Sequence, residues 1–193
     1  MAMILDAVQA PTIHVIDDAL PEPIAVDVYK ALHLYGWTFG WLSNHMLEDD
    51  FGHWNRAYGG SNKDNRSDIS GEIRIPAIAQ AWAHIKALMP PATTLIRCYS
   101  NAHTYGVEGY VHQDSAHETD LSAILYLNKD WDANDAGELV FLDKYEGGNI
   151  MRAVFPNWNR LVIFPGNVPH AARSLSRRCR KARLCLAFKT RTA

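Results

Sequence analysis

From residue 93 onward, apolar residues fall in short β-rich runs at 93–101, 109–114, 121–128, 137–143, 150–155, 159–165 and 182–190, separated by Gly, Pro, Asn and Asp. Apolar runs of this length between turn residues predict strands. Before residue 93 the period changes. Residues 12–17 are short and β-branched, which predicts a strand delivering the chain to a sheet. A helix is expected to begin at Asp18 or Pro21, with Ile24, Val28, Leu32 and Tyr35 on one apolar face, and to stop at Gly36. A second helix is expected from Pro76 to Met89, with Ile78, Trp82, Ile85 and Met89 on one face and Pro90-Pro91 ending it. Between the helices, Trp37 to Trp41 clusters aromatics around Gly40, which suits core or the wall of a pocket, with core favoured. Residues 43–72 are irregular, and 58–68 has almost nothing to bury, so a mobile loop is expected there, with Gly59, Gly60, Ser61 and Asn62 in a lid over a site.

Seven or eight strands in this order imply two facing sheets. The fold class that fits is mainly β with flanking helices, a double-stranded β-helix, or jelly roll, whose open mouth holds a site and whose outer face the N-terminal helices buttress. A chain of 193 residues suits one domain, here 1–193, with 1–92 as helical support and possible lid and 93–190 as a catalytic β core.

A net charge of −2 argues against general attraction to nucleic acid or to an anionic membrane surface. The basic block from Arg173 to Lys181 reads as a solvated loop. Cys98, Cys179 and Cys185 form no regular framework, which points to reduced thiols. The first residues carry no basic segment ahead of an apolar run, and no apolar stretch approaches the ~18 residues of a membrane span. A cytoplasmic location is the expectation.

The chemistry centres on residues 109–115, Gly-Tyr-Val-His-Gln-Asp-Ser. On a strand, His112 and Asp114 project to the same face and are able to grip one metal ion. His170, which follows the apolar run 161–164 and a Pro-Gly turn, is the best third ligand. The bland reading of nine histidines is solvation or structural hydrogen bonding, and His117 suits it. Two histidines and a carboxylate with open positions opposite them form the ligand set of non-heme Fe(II) oxygenases.

Residues 124–132, Ile-Leu-Tyr-Leu-Asn-Lys-Asp-Trp-Asp, followed by Gly-Glu-Leu-Val-Phe-Leu at 137–142, closely resemble the corresponding segment of the hypoxia-sensing prolyl hydroxylases. The resemblance is to the prolyl hydroxylase branch of the 2-oxoglutarate/Fe(II)-dependent dioxygenases, over roughly residues 93–190. It implies Fe(II) as cofactor with 2-oxoglutarate and O2 as cosubstrates, and it makes His112, Asp114 and His170 the iron ligands. It also implies that Tyr126 helps hold the distal carboxylate of 2-oxoglutarate, that Tyr99 touches its other end, and that a basic residue opens the last core strand. Arg183 heads the run 182–188 and fits that role; Arg180 keeps the family spacing after the second histidine but lies in a polar run. The carboxylate ligand Asp114 favours hydroxylation over halogenation, with desaturation and ring closure still open. The resemblance implies a prolyl or other amino-acid-like substrate carbon and release of succinate and CO2, and the small size of the chain favours a small molecule or short peptide over a large folded protein as substrate.

Two other classes compete. A cupin-like metal-binding small-molecule binder or sensor keeps the three ligands but needs neither Arg183 nor Tyr126. An interaction module would use the basic block on an acidic partner around a structural metal, although structural zinc sites close with four protein ligands.

Overall fold

The structure, a computed structural model, describes residues 11–34, 36–43, 52–60 and 67–192. Among these residues, ten strands form two antiparallel sheets. The larger takes β1 (His14–Ile16), β2 (Thr38–Trp41), β3 (His53–Gly59), β4 (Thr93–His103), β5 (Leu121–Tyr126), β8 (Arg160–Pro165) and β10 (Arg183–Thr192) in the order β1-β8-β5-β10-β4-β3-β2. The smaller takes β6 (Leu139–Leu142), β7 (Ile150–Val154) and β9 (His170–Ala172) in the order β7-β6-β9. This is the expected mainly β jelly roll with two helices. The segment before residue 93 supplies more than helical support, because β1 closes one edge of the large sheet and β2 and β3 extend the other.

The helices cover one face of that sheet. Helix α1 (Glu22–Leu32) buries Ala25, Val28, Ala31 and Leu32, while Ile24 is only partly covered. It ends before Gly36, and the Trp37 indole donates to the Leu32 carbonyl at 3.0 Å, satisfying one of the acceptors a helix end leaves unpaired. Tyr35 lies outside the described residues. Helix α2 (Pro76–Lys86) buries Ile78, Ala81, Trp82 and Ile85, as its period predicts, and Met89 is buried just beyond it. Both helices pack on Leu95, Ala123, Leu125, Leu161, Leu186 and Phe188 of the sheet, where Trp82 stacks on Phe188 with ring centroids 5.5 Å apart. A second apolar layer lies between the sheets, formed by Ile124, Tyr126, Val162 and Phe164 against Leu139, Phe141 and Val154.

Two expectations are corrected. Residues 43–72 are not wholly irregular, since His53–Gly59 pairs with β4 from Trp54 opposite Ala102 to Gly59 opposite Cys98. His53 and Asn55 are buried with Trp54 exposed between them, and beyond them Ala57 is exposed while Arg56, Tyr58 and Gly59 are partly covered, a half-buried pattern that the surrounding polar residues disguise in the sequence. Residues 109–114 do not form a strand. Only His112 makes a bridge there, to His170, because the N–H groups of Asp114 and Ser115 both turn to the Gly166 carbonyl, at 2.8 and 3.1 Å.

Candidate metal centre and its pocket

The pocket floor is a grid set by strand register. On β10, Arg183, Cys185, Ala187 and Lys189 share one face, and their partners on β4 are His103, Asn101, Tyr99 and Arg97. On β5, Tyr126, Ile124 and Ser122 stand beside Cys185, Ala187 and Lys189. Residues two apart on a strand point the same way, so β10 and β4 each present a row, and β5 its Ile124, to one cavity of about 150 Å³ that also contacts His112, Asp114 and His170.

The two histidines reach this cavity from opposite partners of one backbone bridge. His112 N–H donates to the His170 carbonyl and His170 N–H to the His112 carbonyl, both at 3.0 Å. Each imidazole is then fixed by its own backbone. His112 Nδ1 lies 2.8 Å from the Tyr110 carbonyl and His170 Nδ1 2.8 Å from the Val168 carbonyl. Since a carbonyl only accepts, both Nδ1 atoms carry the proton and both Nε2 lone pairs are free. These face Asp114, with His112 Nε2 3.7 Å from Oδ1 and His170 Nε2 3.4 Å from Oδ2.

This donor set fits a divalent transition metal. The three ligand atoms lie within 4.8 Å of one another, and ligands about 2.1 Å from a metal at right angles stand about 3 Å apart. Neutral imidazole and ionised carboxylate are the required protonation states, and the site favours both. Burial, followed by the charge of His170, pushes His112 down to about 4, against the opposing pull of Asp114. Burial works to raise the Asp114 carboxyl, but Lys189 and then the two histidines hold it well below the usual carboxylate range.

The sequence reading overlooked Lys189 and Ser122. The Lys189 ammonium and the Ser122 hydroxyl, at 2.6 Å, both donate to Asp114 Oδ2. Burial alone would lower the lysine; the charge of Asp114, then that of Tyr99 and the hydrogen bond to Asp114, together outweigh it and raise Lys189 above its ordinary value. A signal was present, because Lys189 stands an even number of residues after Arg183 in the last strand and so faces the same way.

At the other end of the floor, Arg183 is 2% exposed and its terminal nitrogen donates to the Tyr126 hydroxyl at 2.9 Å, while Nε donates to the Gly137 carbonyl at 2.7 Å. Burial pushes the Tyr126 phenol up, with Arg183 opposing, so its hydroxyl keeps its proton. Tyr99 lies on the floor midway between these ends, its phenol also raised by burial. Arg180 is exposed and does not line the cavity. His103, opposite Arg183, is buried and held well below its ordinary value by desolvation and then by the Arg183 charge.

Of the expected lid residues, the two that are described are not brought to the pocket. Gly59 ends β3, and Gly60 N–H donates to Glu72 Oε2 at 2.9 Å; neither lines the cavity. Ser61 and Asn62 lie outside the described residues.

With this geometry in place, the comparisons define the class. Residues 96–188 match the model of the 2OG-Fe(II) oxygenase superfamily. A prolyl-4-hydroxylase from Pseudomonas putida superposes with a TM-score of 0.69 at 18% identity, over 94% of each chain. A prolyl hydroxylase from Trichoplax adhaerens, in complex with a hypoxia inducible factor oxygen degradation domain peptide fragment, gives 0.66 at 16% identity over 95% of this chain and 84% of that one. HygX from Streptomyces hygroscopicus, with nickel and 2-oxoglutarate bound, gives 0.62 at 13% identity over 95% and 83%. No curated protein matches the chain by sequence. The matched segment, just under half of the chain, and the fold indicate a 2-oxoglutarate-dependent Fe(II) oxygenase, a class that uses Fe(II), 2-oxoglutarate and O2. Among the described residues, no helix is long and apolar enough to cross a membrane.

Proposed function

We propose that this oxygenase hydroxylates an unactivated carbon of a prolyl, amino-acid-like or short-peptide substrate, with release of succinate and CO2. The observation that carries the reading is the pocket floor, where the His112, Asp114 and His170 cluster shares one cavity with Arg183, whose guanidinium donates to the buried Tyr126 hydroxyl behind it. A cupin-like binder of metal alone would have no use for a buried guanidinium held against a tyrosine.

In this proposal His112, Asp114 and His170 hold Fe(II), which when bound supplies the redox chemistry of oxygen activation. Arg183 and Tyr126 receive the distal carboxylate of 2-oxoglutarate by charge-assisted and hydroxyl hydrogen bonds. Tyr99 borders the cosubstrate midway along the floor. Nδ1 contacts with the Tyr110 and Val168 carbonyls keep both imidazoles in the ligating tautomer. Ser122 fixes the rotamer of Asp114. Buried Ile124, Leu139 and Ala187 exclude water from the cosubstrate side. The free, buried thiols of Cys98, Cys179 and Cys185 support a reducing, cytoplasmic setting.

The test is succinate formation from 2-oxoglutarate by the Fe(II)-loaded protein, alone and with prolyl peptides and free amino acids, with hydroxylated products read by mass spectrometry. His112→Ala, Asp114→Ala and His170→Ala should each abolish Fe(II)-dependent turnover while the fold is retained. A folded His170→Ala protein with undiminished turnover would sink the assignment.

A further inference from the structure

Among the described residues, two cations besides Arg183 face the cavity, and one of them has no counter-charge. Lys189 and Arg97 are direct cross-strand partners on β10 and β4, an arrangement in which like charges repel. Lys189 is answered by Asp114. Among the described residues, Arg97 meets no carboxylate within ion-pair distance. Its guanidinium lies instead over two rings, 4.7 Å from the centroid of Tyr99 and 5.7 Å from that of Trp41.

The backbone is shaped to bring it there. Leu95, two residues earlier, is fully buried under the helices, and regular alternation would send Arg97 to that same face. A register shift between Lys189 and Thr190 pairs Thr190 with Leu95 and Lys189 with Arg97, so that Ile96 is taken up as a bulge. Bulges of this kind re-aim the following side chain, and here the result is a guanidinium in the cavity rather than in the apolar layer. Stacking uses the faces of a guanidinium and leaves the N–H groups along its edge, which match a carboxylate in bidentate geometry. Arg183 already lies at the other end of the floor, so the pocket offers two separated anion positions with the metal ligands between its walls.

Resting on the reading of Arg183 and Tyr126 as the 2-oxoglutarate anchor, we infer that Arg97 receives a carboxylate of the substrate to be oxidised. The enzyme then takes a free amino acid, or a short peptide by its C-terminal carboxylate, and not an internal residue of a long chain, which has no carboxylate to offer at the backbone.

The test is calorimetry on protein loaded with Mn(II) and 2-oxoglutarate, where binding is read without turnover. The probes are the free amino acids and proline-containing dipeptides, each as the acid and as its C-terminal amide; the two sets separate amino-acid from peptide sources of the carboxylate. At least one acid should bind, at least tenfold tighter than its own amide. Arg97→Gln should erase that preference and Arg97→Lys should keep part of it, with near-ultraviolet circular dichroism unchanged in both. Equal affinity for acid and amide, a preference that survives Arg97→Gln, or binding by no acid overturns the inference. Titration of 2-oxoglutarate into the Mn(II)-loaded variants keeps the underlying reading separate. If Arg183→Gln weakens 2-oxoglutarate far more than Arg97→Gln does, the anchor stands and only the role of Arg97 is at issue. If the order is reversed, the anchor assignment fails and the inference with it.

Discussion

The Lys189 ammonium donates to the same Asp114 oxygen, Oδ2, that lies 3.4 Å from His170 Nε2. The lysine therefore competes with a metal ion for the charge of one ligand while holding that ligand ionised. Removing one member of a buried ion pair strands the other, at a cost of about 3–5 kcal/mol, unless a second cation takes its place. Lys189→Met should accordingly destabilise the metal-free protein by roughly that amount and the Mn(II)-loaded protein by clearly less. Chemical denaturation with and without Mn(II) measures the difference. Equal losses in both states would mean that Lys189 acts only through packing.

Acid should weaken the metal-free fold over a defined window. His112 is pushed from its ordinary 6.5 to about 4, and His103 is also lowered well below 6.5, chiefly by burial in both cases. In the unfolded chain both take up a proton as pH falls below about 6.5, whereas the folded protein resists, so stability is full above that value and declines as pH drops toward 4. Denaturation midpoints across this range should fall steadily. The decline should be shallower in His112→Gln and in His103→Gln. A midpoint that stays flat between pH 7 and 5 would contradict the burial-driven shift.

How much of this was legible in the sequence depended on how local the determinant was. The apolar faces of α1 and α2 and the strands β4 to β8 and β10 follow from periodicity, which is a property of consecutive residues, whereas the three residues of β9 were too few to read. The His112, Asp114 and His170 cluster was legible as well, but for an inexact reason: the ligands converge through a backbone bridge and the Gly166 carbonyl, not through a strand at 109–114. β3 was missed because a half-buried strand rich in polar residues carries little apolar signal, and β2, at the sheet edge, because its four residues are too few and too exposed to show a strand pattern. The place of Arg97 was illegible, since it depends on a bulge set by pairing with β10, nearly a hundred residues away in sequence. Lys189 required only that the alternation beginning at Arg183 be followed to the end of the strand.

Gly60 turns the chain out of β3 and offers a backbone test. Its φ is +69°, and a Cβ there would stand 2.2 Å from the Ile96 carbonyl oxygen. An ordinary side chain is strained in that conformation by ~1–3 kcal/mol, and the backbone overlap adds to it. Gly60→Ala should lower stability by at least that much in denaturant titration. Because Ile96 is the bulged residue next to Arg97, the same variant should also weaken any ligand whose binding depends on Arg97. Unchanged stability would show that the turn relaxes without cost.

Arg183 and Arg180 give the sharpest contrast at the cosubstrate end. Arg183 is buried, donates to the Tyr126 hydroxyl and faces the cavity, whereas Arg180 is exposed and outside it. Losing the charged partner of a buried carboxylate costs ~2–5 kcal/mol, which is at least about 30-fold in affinity. Arg183→Ala should therefore weaken 2-oxoglutarate by that factor or more, measured by calorimetry on the Mn(II)-loaded protein, and Arg180→Ala should change it little. Arg183→Lys should recover only part of the loss, because an ammonium keeps the charge but not the fork that reaches Gly137, Tyr126 and a carboxylate together. Tyr126→Phe should have a smaller effect in the same direction, since it removes one neutral hydrogen bond worth ~0.5–1.5 kcal/mol. If Arg180→Ala proved the more damaging change, the spacing after His170 would have identified the anchor correctly, and the buried Arg183–Tyr126 pair would have to be a structural element of the sheet.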